Sequence, residues 1–363
     1  MENYTFLPTE EYVRPLGRTV MEDDCRLLSL SASGVEFTYF GTALSVTLYG
    51  DSSTEAGEDE PVKWKDQPRI AILVDGKEYI NRTVSHRKEI LRVCEDFPDE
   101  EPKQHVIRIL KLSEPRMSTV GLGELTVTAD GPARPTPQKE RFIEFIGDSI
   151  TCGYGIDTAN ENYPFSTATE NAAKAYSYLT AEYLGADASL VSYSGHGLIS
   201  GYTADPSVPK KEELLQPYYE IFSYSYNTFR GRRNQDLPWN FEAERRPDTI
   251  VINLGTNDES YCGTDPGKRA EFERLYTEFL KQVHRRNPEA KLVVAFGLMG
   301  DSLYENEVRA AEAFQEETGF TDIRTFRISP QNADKNGYAS CWHPSAESHR
   351  EAARELAEFL KNI

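Results

Sequence analysis

Arg141-Phe142-Ile143-Glu144-Phe145-Ile146-Gly147-Asp148-Ser149-Ile150-Thr151 is an apolar run that breaks at a Gly-Asp pair and then restarts as a helix. A short apolar run bounded by such a turn reads as a strand buried on both faces, as in a parallel sheet. Similar runs recur at residues 190–193, 249–254 and 291–296, with helical patterns at 171–184, 269–285 and 305–317 between them. The C-terminal pattern is the clearest helix, because Ala352, Leu356, Phe359 and Leu360 form one apolar stripe among charges. Strand and helix alternating in this way predict an α/β fold with a doubly wound parallel sheet. In such sheets the chemistry lies beyond the carboxyl ends of the strands.

Upstream the rhythm changes. Val35 to Phe40 and Leu44 to Tyr49 alternate with the two-residue period of half-buried strands, and Arg69 to Val74 runs into the hairpin signal Asp75-Gly76. Strand patterns at 105–112 and 122–128 follow, with no long helix, so this half reads as an all-β antiparallel sandwich. Pro132, Pro135 and Pro137 then suit a semi-rigid linker. The boundaries expected are a sandwich over 1–132, a linker over 133–139 and the α/β domain over 140–363, which fits 363 residues being more than one core usually serves.

The formal charge of −19 disfavours nucleic acid or an anionic membrane as partner, since phosphate binding needs clustered Lys and Arg. A neutral polymer is compatible with that charge, and so is simple solubility. The N-terminus lacks a basic stretch followed by an apolar run, and nothing approaches the ~20 apolar residues of a membrane span. The five cysteines are scattered and form no C-x-x-C pair, so a reducing, cytoplasmic setting is expected. No cofactor or metal is expected: there is no phosphate-binding glycine loop and no cluster with metal-ligand spacing. Gly-x-Ser-x-Gly is also absent, which disfavours an α/β-hydrolase.

Four loops at the expected active edge carry chemistry. Gly147-Asp148 places Ser149 at a helix start, with an exposed hydroxyl and a free N–H, although Asp and Ser there also suit a plain N-cap. Ser194-Gly195-His196-Gly197 offers a backbone N–H, or simply a glycine turn. Gly255-Thr256-Asn257-Asp258 offers an amide donor, or a solvated turn. Cys341-Trp342-His343-Pro344 precedes the last helix, where a lone histidine would more often be structural. Together they supply a nucleophile, two oxyanion donors and a base, the set that acyl transfer requires.

These blocks, in this order, resemble the SGNH (GDSL-like) hydrolases over residues 140–363. More narrowly, Gly147 to Gly155, Ser192 to Gly197 and the Trp-His-Pro ending resemble carbohydrate esterase family 2, such as acetylxylan esterases. The resemblance implies a jelly-roll domain ahead of an SGNH-type, flavodoxin-like domain, and removal of O-acetyl groups from xylan or other plant saccharides. It also implies Ser149 as nucleophile, His343 as general base, and an oxyanion hole formed by the N–H groups of Ser149 and Gly195 with the Asn257 amide.

One feature departs from that pattern. Where many such hydrolases carry an Asp three residues before the histidine, this chain has Ser340, and Cys341 follows. A Ser–His dyad is expected, in which, as the resemblance to some family 2 members implies, a backbone carbonyl holds the His343 imidazole; the remote Asp334 as orienting acid is the alternative. Trp342 either stacks on a sugar or packs under its loop. The segment Tyr218 to Tyr226 is dense in tyrosine and could line the cleft, pack in the core or join subunits of a homo-oligomer. An esterase for other acyl groups and an inactive saccharide-binding protein are the alternatives.

Overall fold

In the computed structural model, which describes residues 1–55, 65–94 and 101–363, the run around Phe145 is an interior strand of a five-stranded parallel sheet. The strands are β1 (Phe142–Gly147), β2 (Asp187–Ser192), β3 (Thr249–Asn253), β4 (Lys291–Phe296) and β5 (Ile323–Arg327), in the order β2-β1-β3-β4-β5. Gly147, the last residue of β1, lies opposite Ser192 of β2 and Asn253 of β3. The loops leaving these three strands therefore emerge side by side.

Helices alternate with the strands: α1 (Ser149–Cys152), α2 (Tyr176–Tyr183), α3 (Thr256–Cys262), α4 (Pro266–Arg286), α5 (Tyr304–Thr318), α6 (Ala333–Asn336) and α7 (Ala346–Lys361). Phe145, Ile146, Val251, Ile252, Val293 and Val294 are fully buried, as two-sided burial of a parallel sheet requires. Each such side chain contributes roughly 1.5–3 kcal/mol relative to exposure. In α7 the expected stripe faces inward, with Ala352 and Leu356 buried and Phe359 stacked on Phe326 of β5, centroids 4.4 Å apart. The expected helix at 171–184 is shorter: a turn over Ala172–Lys174 precedes an extended Ala175, and α2 begins only at Tyr176.

The antiparallel half is built on one 17-residue strand, Gly34–Gly50, where the sequence suggested two. Its first part pairs with Lys103–Lys111, its later part with Lys88–Cys94, and Val120–Ala129 runs beside it. Val35, Phe37, Val46, Leu48, Ile72, Ile107, Leu122 and Val127 fill its core. The Asp75-Gly76 hairpin is present, with both residues at positive φ (53° and 78°) and Val74 opposite Lys77, the backbone a two-residue I′ turn demands.

The chain divides into two compact units. One comprises Met1–Gln138, Ser166–Glu170 and Phe222–Leu237; the other comprises Lys139–Phe165, Asn171–Ile221 and Pro238–Ile363. Residues 133–138, read from sequence as linker, belong to the first: Arg134 and Pro135 pair with Thr38 and Phe37, and the Thr136 hydroxyl donates to Glu36 at 2.7 Å. The segment Phe222–Leu237 is held there too, its Asn234 amide reaching the hydroxyls of Ser29, Thr119 and Ser223. Among the described residues no helix is long and apolar enough to cross a membrane.

Candidate active site

Ser149 opens α1. The preceding Asp148 caps that helix, its Oδ1 accepting the Ile150 N–H at 3.0 Å, which fixes the turn between β1 and α1. Ser149 is 6% exposed, and its Oγ lies 2.8 Å from Nε2 of His343. Among the described residues neither its N–H nor that of Gly195, in the loop after β2, donates to a protein acceptor.

His343 is held from the other side. Its Nδ1 lies 3.1 Å from the carbonyl of Ser340 and 3.2 Å from that of Cys341. Carbonyls only accept, so Nδ1 carries the proton and Nε2 is left to accept from the Ser149 hydroxyl. Two carbonyls can converge on one nitrogen because the backbone is forced: Cys341 and Trp342 sit at φ 51° and 59°, a left-handed region costly for side chains of their size. The loop is pinned by the Ser340 hydroxyl donating to Tyr163 O at 2.6 Å and by the Cys341 N–H donating to Glu161 O at 2.9 Å. Loss of solvation pushes His343 down to about 4, and the two carbonyls only partly offset this. Asp334, the remote acid considered from sequence, is exposed on α6 and takes no part in these bonds.

Asn257 and Asp258, on α3 after β3, tie the loops together. The Asn257 amide donates to Asp148 Oδ2 at 3.1 Å and to His196 O at 2.8 Å, bridging the loops after β1 and β2. Both of its N–H bonds are thus engaged in this structure. Asp258 is fully buried, and its Oδ1 accepts three N–H groups: Leu198 and Ile199 at 2.7 Å, Ser200 at 3.3 Å. Desolvation pushes Asp148 up to about 7 and Asp258 up to about 6, against the hydrogen bonds each accepts. Asp148 is also raised by the charge of Asp258.

The fold therefore brings Ser149 and His343 into hydrogen-bond contact, and brings the Gly195 and Asn257 loops up to Asp148 beside them. Trp342 does not pack under its loop: it is 54% exposed next to His343. Tyr218 to Tyr226 is not one platform, since Tyr219 is buried against Phe241 and Phe279 whereas Tyr224 and Tyr226 lie in the other unit. Sequence reasoning missed Asp258 as the anchor of the Gly195 loop, and Tyr202, 60% exposed, whose N–H donates to Gly195 O at 2.9 Å. It also missed the ring of Tyr154, stacked on the His343 imidazole with centroids 4.1 Å apart. Asp258 and Tyr154 stand inside the sequence motifs but their partners carry no sequence signal, and Tyr202 lies outside every motif.

With this geometry in view, comparison with known proteins is specific. The GDSL-like Lipase/Acylhydrolase family model matches residues 145–351. The "Cellulase/esterase CelE" of Acetivibrio thermocellus is 29% identical over 92% of this chain, which spans only 37% of that relative's length. An "Acetylxylan esterase / glucomannan deacetylase" of Cellvibrio japonicus is 28% identical over 99% of this chain and 91% of its own. In fold, an acetyl xylan esterase from the rumen bacterium Butyrivibrio proteoclasticus superposes with a TM-score of 0.85 at 21% identity, covering 100% of this chain and 98% of that one. Structures of family 2 carbohydrate esterases from Clostridium thermocellum and Cellvibrio japonicus also superpose, with TM-scores of 0.78 and 0.81 at 24% and 21% identity, covering 96% and 99% of this chain and 98% of each of those chains.

Proposed function

This chain belongs to the GDSL-like lipase/acylhydrolase family, and from that premise we propose that it is a serine carbohydrate esterase removing acetyl groups from xylan-derived or related saccharides. The observation that carries the reading is the 2.8 Å contact between Ser149 Oγ and an imidazole whose tautomer is set by two carbonyls. In the first half-reaction Ser149 Oγ bonds to the acetyl carbonyl carbon and passes its proton to His343 Nε2. The oxyanion that forms meets the N–H groups of Ser149 and Gly195, with the Asn257 amide as third donor once it shares one of its present bonds. Collapse breaks the bond to the sugar oxygen, which takes the proton back from Nε2 and leaves acetyl-Ser149. Water, deprotonated by His343, then releases acetate.

The names of the relatives support acetyl and saccharide as the two halves of the substrate. So do two exposed rings at the site, Trp342 beside the base and Tyr202 bonded to the Gly195 loop, since sugar faces stack on such rings. A cytoplasmic setting is part of the proposal, from five scattered cysteines without a C-x-x-C pair; cell fractionation tests it.

The test is acetate release from acetylated xylo-oligosaccharides by the wild type and Ser149→Ala, alongside aryl esters of increasing chain length. Loss of release in the variant and a preference for acetyl are expected. Release unchanged by the substitution would overturn the mechanism, and faster cleavage of longer acyl groups would overturn the deacetylase reading.

A further inference from the structure

Gly153-Tyr154-Gly155 joins the nucleophile's helix to the loop that holds the base. The Tyr154 N–H donates to Ser149 O at 3.1 Å, and Gly155 O accepts the Ser340 N–H at 3.4 Å. Both flanking glycines have positive φ (75° and 59°), so the chain reverses sharply on either side of Tyr154. The reversal also admits close packing: a Cβ on Gly155 would lie 2.2 Å from Cβ of Ser340, whose carbonyl orients His343.

This turn aims the Tyr154 ring at the imidazole. The two rings stack with centroids 4.1 Å apart and planes 23° from parallel. Behind it the phenol is backed by Phe165 at 4.8 Å, and its hydroxyl reaches Cys341 Sγ at 3.7 Å. His343 thus has carbonyls on one edge, Ser149 on the other and an aromatic face above. Among the described residues no carboxylate hydrogen-bonds or ion-pairs with it. The titratable groups set against it are Tyr154, stacked on its ring, and His349 of α7, with the Cys341 thiol of its own loop engaged by the Tyr154 hydroxyl instead.

We propose that Tyr154 is a positioning residue for His343, its negative ring face stabilising the imidazolium formed in the reaction, as a carboxylate does in a triad. The proposal rests on the Ser149–His343 reading above. A cation over such a face is stabilised, the more so where water is excluded. Stacking also fixes the plane of a ring that two neutral carbonyls hold only by one nitrogen.

The test compares wild type, Tyr154→Phe and Tyr154→Leu in kcat and KM on acetylated xylo-oligosaccharides, and in the pH profile of kcat/KM on an aryl acetate. Phe keeps the face and is expected within about twofold of wild type. Leu keeps the site dry without the face; kcat should fall about tenfold with KM little changed, the order expected of a desolvated cation–π contact. The acid limb of its pH profile should move to lower pH, because the free imidazolium is destabilised as well.

A Phe variant as impaired as Leu would put the effect in the hydroxyl and overturn the proposal. A Leu variant with wild-type kcat, or one whose acid limb stays or rises, would overturn it also, leaving packing alone. Should Leu fail to fold, fluorinated phenylalanines at 154 keep the shape while draining the face. A stepwise fall in kcat with fluorination is expected, and a flat series refutes the idea. Ser149→Ala in the same assay separates the readings: if it stays active the dyad itself is wrong, whereas an inactive Ser149→Ala beside a flat series sinks only the role of Tyr154.

Discussion

Replacing Asp258 by Asn removes a buried charge from beneath the Gly195 loop while leaving one carbonyl oxygen to accept from Leu198 and Ile199, both at 2.7 Å. Burial holds the native carboxyl at about 6 in the folded chain, against an ordinary value of 3.8. Between about pH 4 and pH 6 the folded state therefore holds a proton that the unfolded state has released, so this group's stabilisation is complete below the unfolded value and is lost as pH rises through the folded one. At 1.36 kcal/mol per pH unit, the separation corresponds to about 3 kcal/mol. Asn has no such dependence. It carries instead a constant cost of about 1–3 kcal/mol, because its NH2 falls where Oδ2 has no partner. Asp258→Asn should consequently melt below the wild type at pH 4.5, and because the unfolded carboxyl is already mostly ionised there, the gap should narrow by about 2 kcal/mol by pH 7.5. For a unit of this size that is roughly 4–8 °C in Tm. Thermal melting followed by circular dichroism at several pH values measures it. A gap that stays constant from pH 4.5 to 7.5 would refute the reasoning, since the carboxyl would not be titrating in that window.

Other consequences concern the reaction itself. Asn257→Ala removes a candidate oxyanion donor and the bridge between Asp148 and His196; kcat should fall about 10²–10³-fold, measured on an aryl acetate, with the fold retained by circular dichroism. Trp342→Ala should weaken saccharide binding, measured by calorimetry, more than it slows hydrolysis of a small aryl acetate; equal effects would argue against a sugar platform. Because His343 is pushed down to about 4, it stays neutral and able to accept a proton well below pH 6.5. The acid limb of kcat/KM should accordingly lie near pH 4, and a limb near 6.5 would show the imidazole to be better solvated than its surroundings imply.

What the sequence reveals and what it hides divide along physical lines. β1 to β4 are legible because two-sided burial leaves uninterrupted apolar runs such as Ile250-Val251-Ile252. β5 is not, because in Ile323-Arg324-Thr325-Phe326-Arg327 only Ile323 is buried and two arginines break any apolar run. The break between the two halves of Gly34–Gly50 looks like a turn in sequence, where exposed Phe40 and Gly41 interrupt the apolar pattern, yet both sides keep pairing through it. The assignment of Phe222–Leu237 to the first unit rests on single polar contacts such as those of Asn234, which no periodicity announces. At the site, Ser149, Gly195, Asn257 and His343 are visible because acyl transfer demands those residue types at strand ends. The orienter of His343 is legible only as the absence of the usual acid at position 340: it consists of main-chain carbonyls, aimed by left-handed Cys341 and Trp342, and carbonyls carry no residue signature that says which of them will act.

That orienter has a consequence for the reaction. A carboxylate behind the imidazole would raise its basicity and ease the first proton transfer from Ser149; neutral carbonyls do so less. Held near 4, His343 is a weak base, but its conjugate acid is correspondingly strong. Breakdown of the tetrahedral intermediate depends on that acid, since a sugar hydroxyl leaves poorly unless protonated. The arrangement thus shifts difficulty from expulsion of the sugar to attack by Ser149, the step at which the oxyanion donors also act and where imidazolium and oxyanion form together as an ion pair in a poorly solvated site. An aryl acetate, whose leaving group needs no proton, draws no benefit from the strong acid and meets only the weak base. The geometry around His343 is therefore expected to favour alkyl and sugar esters relative to a site with a carboxylate at position 340: kcat/KM should depend only weakly on the basicity of the leaving group, and a steep rise toward aryl acetates would refute it.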